Sequence, residues 1–386
     1  MMRLLRLPAA YLALPMLLSC GLTWLSYDLP GSYLQGLLLL VVAATAILLV
    51  DLRFGARLPG YAPFRARQYA GTREAFVAIA FACGVLLFCL LDLALFPIPL
   101  IDDPSSYASI EGGHEHIRHI SDMCWTLPPI GLLCARRRWL RHLLIGAGLV
   151  FPVLVIDRNR IFASLFSVAL VLLLRRDDAK PLPWKSIGLL ALVGGTAFSV
   201  LGMLRSGSLD AVTLPFSAMY RAAPQGIKWL LLYISAGPYN FGAIAARHYS
   251  NASFLINQLV PMAGSIATAG TDIPLDAPNI NVGTEYFPFL MAWGPWGAVL
   301  SMFALYAMQW WSVRRLCAPV SLFAWLIFLR MAYVCLMAPF APQAFTWTNG
   351  GFVVLCLVLQ LLAAWLPNRR AASAMDAPGI PTRHLP

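Results

Sequence analysis

Ten apolar runs of membrane-spanning length divide this chain, at roughly 8–26, 33–50, 75–96, 117–135, 140–156, 161–174, 186–203, 287–311, 318–338 and 345–366. About 20 helical residues cross a bilayer, and backbone polar groups in lipid must be satisfied within the segment. The chain can therefore fold only as an all-α polytopic bundle of about ten transmembrane helices. With 60% apolar and 12% charged residues, a water-soluble globule is excluded.

Charge sets the orientation. Twenty of the 28 Lys and Arg fall in every second connection: Arg3/Arg6, Arg53 to Arg73, Arg136 to Arg141, Arg175 to Lys185, Arg314/Arg315 and Arg369 to Arg383. Cytoplasmic loops carry this excess, so both termini are expected on the cytoplasmic side of the membrane. An eleventh apolar run, 229–246, would throw Arg314/Arg315 outside if it spanned. It reads instead as a re-entrant or interfacial segment broken at Gly237-Pro238. Residues 1–366 then form one transmembrane domain with a large periplasmic region at 204–286, and 367–386 a flexible cytoplasmic tail. The first apolar run reads as a span, not a cleavable signal. All eight Cys lie in or at the ends of spans, so no disulfide framework is implied.

The eight remaining cations are Arg118, Arg158, Arg160, Arg205, Arg221, Lys228, Arg247 and Arg330. Each costs on the order of 2.5–3.5 kcal/mol at membrane depth and so needs a partner or a task. Asp157-Arg158-Asn159-Arg160 joins two uncharged apolar cores of 14 residues, 143–156 and 161–174. Such a helix rises about 21 Å against a core of about 30 Å, which predicts a recessed turn. One Asp leaves a net positive site there, and guanidinium forks match phosphate oxygens. Arg205, Arg221, Lys228 and Arg247 extend the positive character across the outer region. Arg330, mid-span near Tyr333, is either a functional cation or a buried ion paired with Asp92 or Asp122. His114, His116, His119 and Asp122 have a metal-like look, yet hydrogen bonding to sugar or to their own loop is favoured, and no metal is expected.

Four segments in chain order carry a family resemblance: Asp157-Arg158-Asn159-Arg160-Ile161-Phe162, Tyr233 to Gly237-Pro238-Tyr239-Asn240, Asn281-Val282-Gly283-Thr284, and Trp293-Gly294-Pro295-Trp296-Gly297. Across about 140–311 they resemble the oligosaccharide repeat-unit polymerases, the O-antigen polymerase family. The resemblance implies a glycosyltransferase that polymerises polyprenyl-diphosphate-linked oligosaccharide repeat units into surface polysaccharide at the periplasmic face, without cofactor. Expected partners are the lipid-diphosphate-linked oligosaccharide, membrane lipids, and a chain-length regulator and flippase of the same pathway; nucleic acid is not among them. Arg158 and Arg160, helped by Arg205 and Arg221, would stabilise the departing diphosphate. Glu285 would be the base ahead of Asp272, Asp276 and His248. Tyr239, Asn240 and Asn281 would contact sugars, with Arg247 and His248 nearby. An O-antigen ligase is the nearest alternative, but Ile280 stands where ligases carry His before the Asn. A transporter or lipid-linked glycan flippase would show internal repeats, and none is evident; a scaffold would need no arginines in a recessed turn.

Overall fold

The computed structural model describes residues 7–54, 67–102, 115–176, 183–206, 209, 212–261, 273–277, 280, 282–316 and 320–367. They form helices α1 (Pro8–Ser26), α2 (Leu34–Phe54), α3 (Arg73–Leu95), α4 (Glu115–Ser121), α5 (Leu127–Cys134), α6 (Arg138–Leu154), α7 (Arg158–Leu174) and α8 (Trp184–Ser206). These are followed by α9 (Ala218–Ala222), α10 (Gln225–Arg247), α11 (Ala252–Leu259), α12 (Phe287–Arg315), α13 (Leu322–Met337) and α14 (Trp347–Trp365). Among the described residues the only β pairing is an isolated Tyr27–Phe216 bridge. Five segments are long and apolar enough to cross a membrane: α1, Gly31–Phe54, α3, α12 and α14. The chain is a helical, multi-pass membrane protein.

At the centre lies α13. Every one of its residues is buried except Arg330 and Leu336, which is how a helix apolar on all sides must sit. Around it the arginine-rich connections gather at one end. There Tyr69 donates to the Val320 carbonyl (3.0 Å), Arg73 to that of Ala364 (3.1 Å) and Arg175 to that of Arg67 (3.4 Å). The connections expected to face outward meet at the opposite end. There Leu100 N–H reaches the Leu154 carbonyl (3.1 Å) and Glu285 N–H that of Ala338 (2.7 Å).

Three expectations change. The 117–135 run is not one helix but α4, a 3-10 turn at Asp122–Thr126, and α5. Pro128-Pro129 supply no N–H and disfavour helical geometry in the residue before them. In α12 the backbone leaves helical geometry at Gly294 (φ 70°) before Pro295, so the stretch able to span runs from Pro295 to Arg315, about 31 Å. The expected break at Gly237-Pro238 is absent, because α10 runs unbroken through it for 23 residues. Pro238 has no N–H for the Ile234 carbonyl four residues back, and Ser19 on α1 donates to that oxygen in its place. Thr23 donates to the next carbonyl, Ser235 (2.9 Å). On another side of the helix Gly237 lets the chain after α13 come close, since a Cβ there would fall 1.9 Å from the Pro339 carbonyl oxygen.

The α6 and α7 helices have 17 residues each, about 26 Å, and stay short of a full bilayer core. Among the described residues of 204–286, α9 and α10 build with Tyr27 a small second core around Phe216, Tyr220, Trp229 and Tyr239. The tail at 368–386 lies outside the described residues.

The Ser19–Ile234 bond predicts non-additive stabilities. Ser19→Ala should cost about 1–2 kcal/mol by orphaning a buried carbonyl. In a Pro238→Ala background the restored N–H takes that carbonyl, and the same substitution should cost much less. Thermal unfolding of the four proteins in detergent measures the coupling.

Candidate functional site

The arginine turn is built by a helix end in unusual conformation. At the close of α6, Ile156 takes a left-handed φ of 51°. Its N–H bonds the Val153 carbonyl (3.1 Å) while Asp157 N–H bonds that of Pro152 (3.0 Å). This is a Schellman ending with a β-branched residue where glycine is usual, at a cost of roughly 1–2 kcal/mol. The reversal delivers Asp157 as the cap of α7, its Oδ1 accepting from Arg160 N–H (3.1 Å).

From there the two arginines part. Arg160 is 6% exposed. Its Nε lies 2.9 Å from Asp157 Oδ2, its Nη2 pairs with Asp122, and its Nη1 stands 4.0 Å from Asp92 Oδ2. Ser121 Oγ accepts from Arg160 (3.4 Å) and donates to Asp92 (2.5 Å). Three carboxylates surround one cation, so the expectation of an anion-seeking Arg160 is corrected: it closes the junction of α3, α4 and α7. Asp92 and Asp122 therefore serve Arg160, not Arg330.

Arg158 faces the other way. Its guanidinium lies 5.6 Å from the centre of the Tyr233 ring, and Tyr233 stacks on Phe340 at 6.1 Å. Between the arginines, Asn159 accepts from the Tyr333 hydroxyl through its carbonyl (2.8 Å) and its Oδ1 (2.6 Å), and from Gln343 Nε2 (2.9 Å). The Gln343 Oε1 is buried with no hydrogen-bond partner.

One turn before Tyr333, Arg330 donates through Nε to Asn349 Oδ1 (3.0 Å). No carboxylate of the described residues lies within ion-pair distance of it. Asp122 and Glu285 feel its charge only through space. Its partial exposure, mid-way along an otherwise buried helix and one turn from the cluster of Tyr333, Asn159 and Gln343, is read as a polar recess. Asp122, whose side chain is 47% exposed, also opens toward solvent, and His119 packs edge-on to Trp347 at 5.0 Å.

Glu285 is not available as a base. Fully buried, it accepts three consecutive backbone N–H groups, those of Gln343 (2.5 Å), Ala344 (2.8 Å) and Phe345 (3.0 Å). Burial pushes its carboxyl up to about 7, against the pull of those bonds and of Arg330. Its work is to anchor the loop between α13 and α14.

The remaining sequence candidates lie apart from this recess or outside the described residues. Asp276 gathers the hydroxyls of Tyr239 (2.6 Å) and Tyr33 (2.9 Å) and the Arg247 guanidinium, which also reaches the Pro274 carbonyl. Tyr239 and Arg247 are therefore committed within the protein, not to sugar. Although burial opposes ionisation, the bonds from Tyr239, Tyr33 and Arg247 prevail and hold Asp276 below the usual carboxylate range. Asn240 donates to the Ile280 (2.9 Å) and Val282 (2.8 Å) carbonyls, fixing the backbone on both sides of Asn281. Asn281, Asp272, His114 and the side chains of Arg205 and His116 lie outside the described residues. Arg221 stands 3.7 Å from Asp28 in an exposed pair. His248 ends α10 in left-handed geometry (φ 51°). Among the described residues no group of three or more His, Cys, Asp or Glu is arranged to hold a metal.

Compared with known protein families, characterised proteins and solved structures, the chain matches none.

Two outcomes follow from these contacts. Arg160→Ala leaves three carboxylates uncompensated and should cost about 3–5 kcal/mol, seen as loss of folded protein on size-exclusion chromatography, whereas Arg158→Ala should accumulate normally. A depressed Asp276 contributes stability above its unfolded pKa that is lost as pH falls through the folded one. Asp276→Asn should therefore cost about 2 kcal/mol at pH 7 and progressively less as pH falls below the usual carboxylate range, read as converging melting temperatures.

Proposed function

We propose that this chain is an inner-membrane glycosyltransferase that polymerises polyprenyl-diphosphate-linked oligosaccharide repeat units at the periplasmic face. The observation that carries the reading is Arg158: a strained Ile156 turn holds its guanidinium on the Tyr233 ring, at the connection between two short helices. Strain of this kind persists where a function needs a side chain aimed. A phosphate at this mouth keeps its lipid tail in the bilayer while the glycan points to water.

The ten apolar runs are read as ten spans, with α10 against their outer ends and both termini cytoplasmic. This assigns every arginine-rich connection to one side, in keeping with their meeting at one end of the bundle. The similarity of the Arg158 and Gly237 to Asn240 segments to repeat-unit polymerases supports the same assignment, and with it the chain-length regulator and flippase as partners.

In the proposed step the acceptor hydroxyl oxygen bonds the anomeric carbon as that carbon's bond to the diphosphate oxygen breaks. The electron pair leaves on the diphosphate, where Arg158 stabilises it, and the hydroxyl proton passes to a carboxylate.

Purified protein in liposomes, supplied with a polyprenyl-diphosphate-linked repeat unit, should yield a ladder of longer glycans. Arg158→Ala should slow it by roughly 10²-fold with expression unchanged. A single unit added to a lipid core would identify a ligase instead, and translocation without a new glycosidic bond would refute the enzyme reading.

A further inference from the structure

Besides Arg158, the described cations at the outer end include Arg118, Arg160 and Arg330, and the first two of these are accounted for. Arg160 has its three carboxylates, and Arg118 lies on the Phe96 ring at 4.5 Å. Arg330 has one neutral partner, Asn349. A guanidinium in mid-span without a counter-ion is a standing cost to the empty protein, so something else must repay it.

The surroundings of Arg330 hold it in one orientation. Asn349 Nδ2 donates to the Ala344 carbonyl (2.8 Å), which turns its Oδ1 to Arg330 Nε. Asn349 N–H is itself capped by Thr346 Oγ1 (3.2 Å). Ala344 is fixed in turn by Glu285. This relay from Glu285 through the 343–345 loop and Asn349 sets the guanidinium plane and leaves both Nη groups for a ligand. Donors in a planar fork suit two oxygens of a phosphate.

We infer that Arg330 is the second anion-binding residue of the recess, gripping phosphate oxygens of a polyprenyl diphosphate whose outer end meets Arg158. This deepens, and rests on, the glycosyl-transfer reading. It gives Arg330 the task first expected of Arg160, and makes Glu285 and Asn349 positioning residues.

The test uses full-length protein in nanodiscs of zwitterionic lipid. Polyprenyl diphosphate, inorganic pyrophosphate and phosphatidylglycerol are added separately, and melting temperature and affinity are followed. Polyprenyl diphosphate should raise the melting temperature of the wild type most. Arg330→Gln should match or exceed the wild type when empty, since an uncompensated charge is gone, and should bind polyprenyl diphosphate at least tenfold more weakly. Arg330→Lys keeps the charge but loses the fork held by Asn349; it should fold normally and bind roughly tenfold more weakly. A structural cation would give the reverse: Arg330→Gln melting well below the wild type, or either variant binding as tightly as the wild type, overturns the inference. So does a response to pyrophosphate or phosphatidylglycerol with none to polyprenyl diphosphate. Should Arg330-dependent binding hold while liposomes yield no glycan ladder, the glycosyl-transfer reading fails and the diphosphate site stands.

Discussion

Helices packed in lipid must find acceptors for the N–H groups that open each helix, and this chain meets that need with its few acids. Of 17 Asp and Glu, several cap helices to which they do not belong. Asp51 at the end of α2 accepts from Ala9 N–H at the start of α1 (2.8 Å) and is held by the Tyr306 hydroxyl (2.9 Å). Glu74, opening α3, accepts from Leu322 N–H at the start of the central α13 (2.9 Å). Glu285 takes three amides just ahead of α14. A carboxylate at a helix start also meets the positive end of the helix dipole. Each such bond fixes one helix against another, so the same interaction satisfies the backbone and sets the bundle's register.

The same economy shapes the recess. Acids spent on capping and on Arg160 are not available to Arg330. One arginine is structural because three carboxylates converge on it; the other is left to a ligand because none does. Sequence neighbourhood gives no guide to which is which, since Asp92 and Asp122 come from segments far from Arg160 in the chain.

Much of the architecture was legible. Runs at 8–26, 33–50, 75–96 and 345–366 became helices within a few residues of their expected ends, because hydropathy and length are local properties. The shortness of the two helices that flank the arginine turn was legible for the same reason. The turn's division of labour was half-legible: Arg158 and Arg160 are two residues apart, about 200° around a helix, so they could not both face one pocket. Glu285 was misread because its three partners are backbone amides, which leave no mark in side-chain identity. Pro238 was misread because the donor that rescues its helix is Ser19, more than 200 positions away. Asn159, Gln343 and Asn349 looked like ordinary polar residues at helix ends, and only tertiary packing made them parts of one recess.

The Ser19–Ile234 contact also bears on the order of assembly. Until α1 lies beside it, α10 carries a carbonyl with no partner in its own helix, a defect tolerable in water but not in a dry bundle. Since α1 leaves the ribosome long before α10, the first hairpin can wait, embedded, with Ser19 and Thr23 already presented. The proline-bearing helix then has one low-energy berth, and a serine early in the chain selects it.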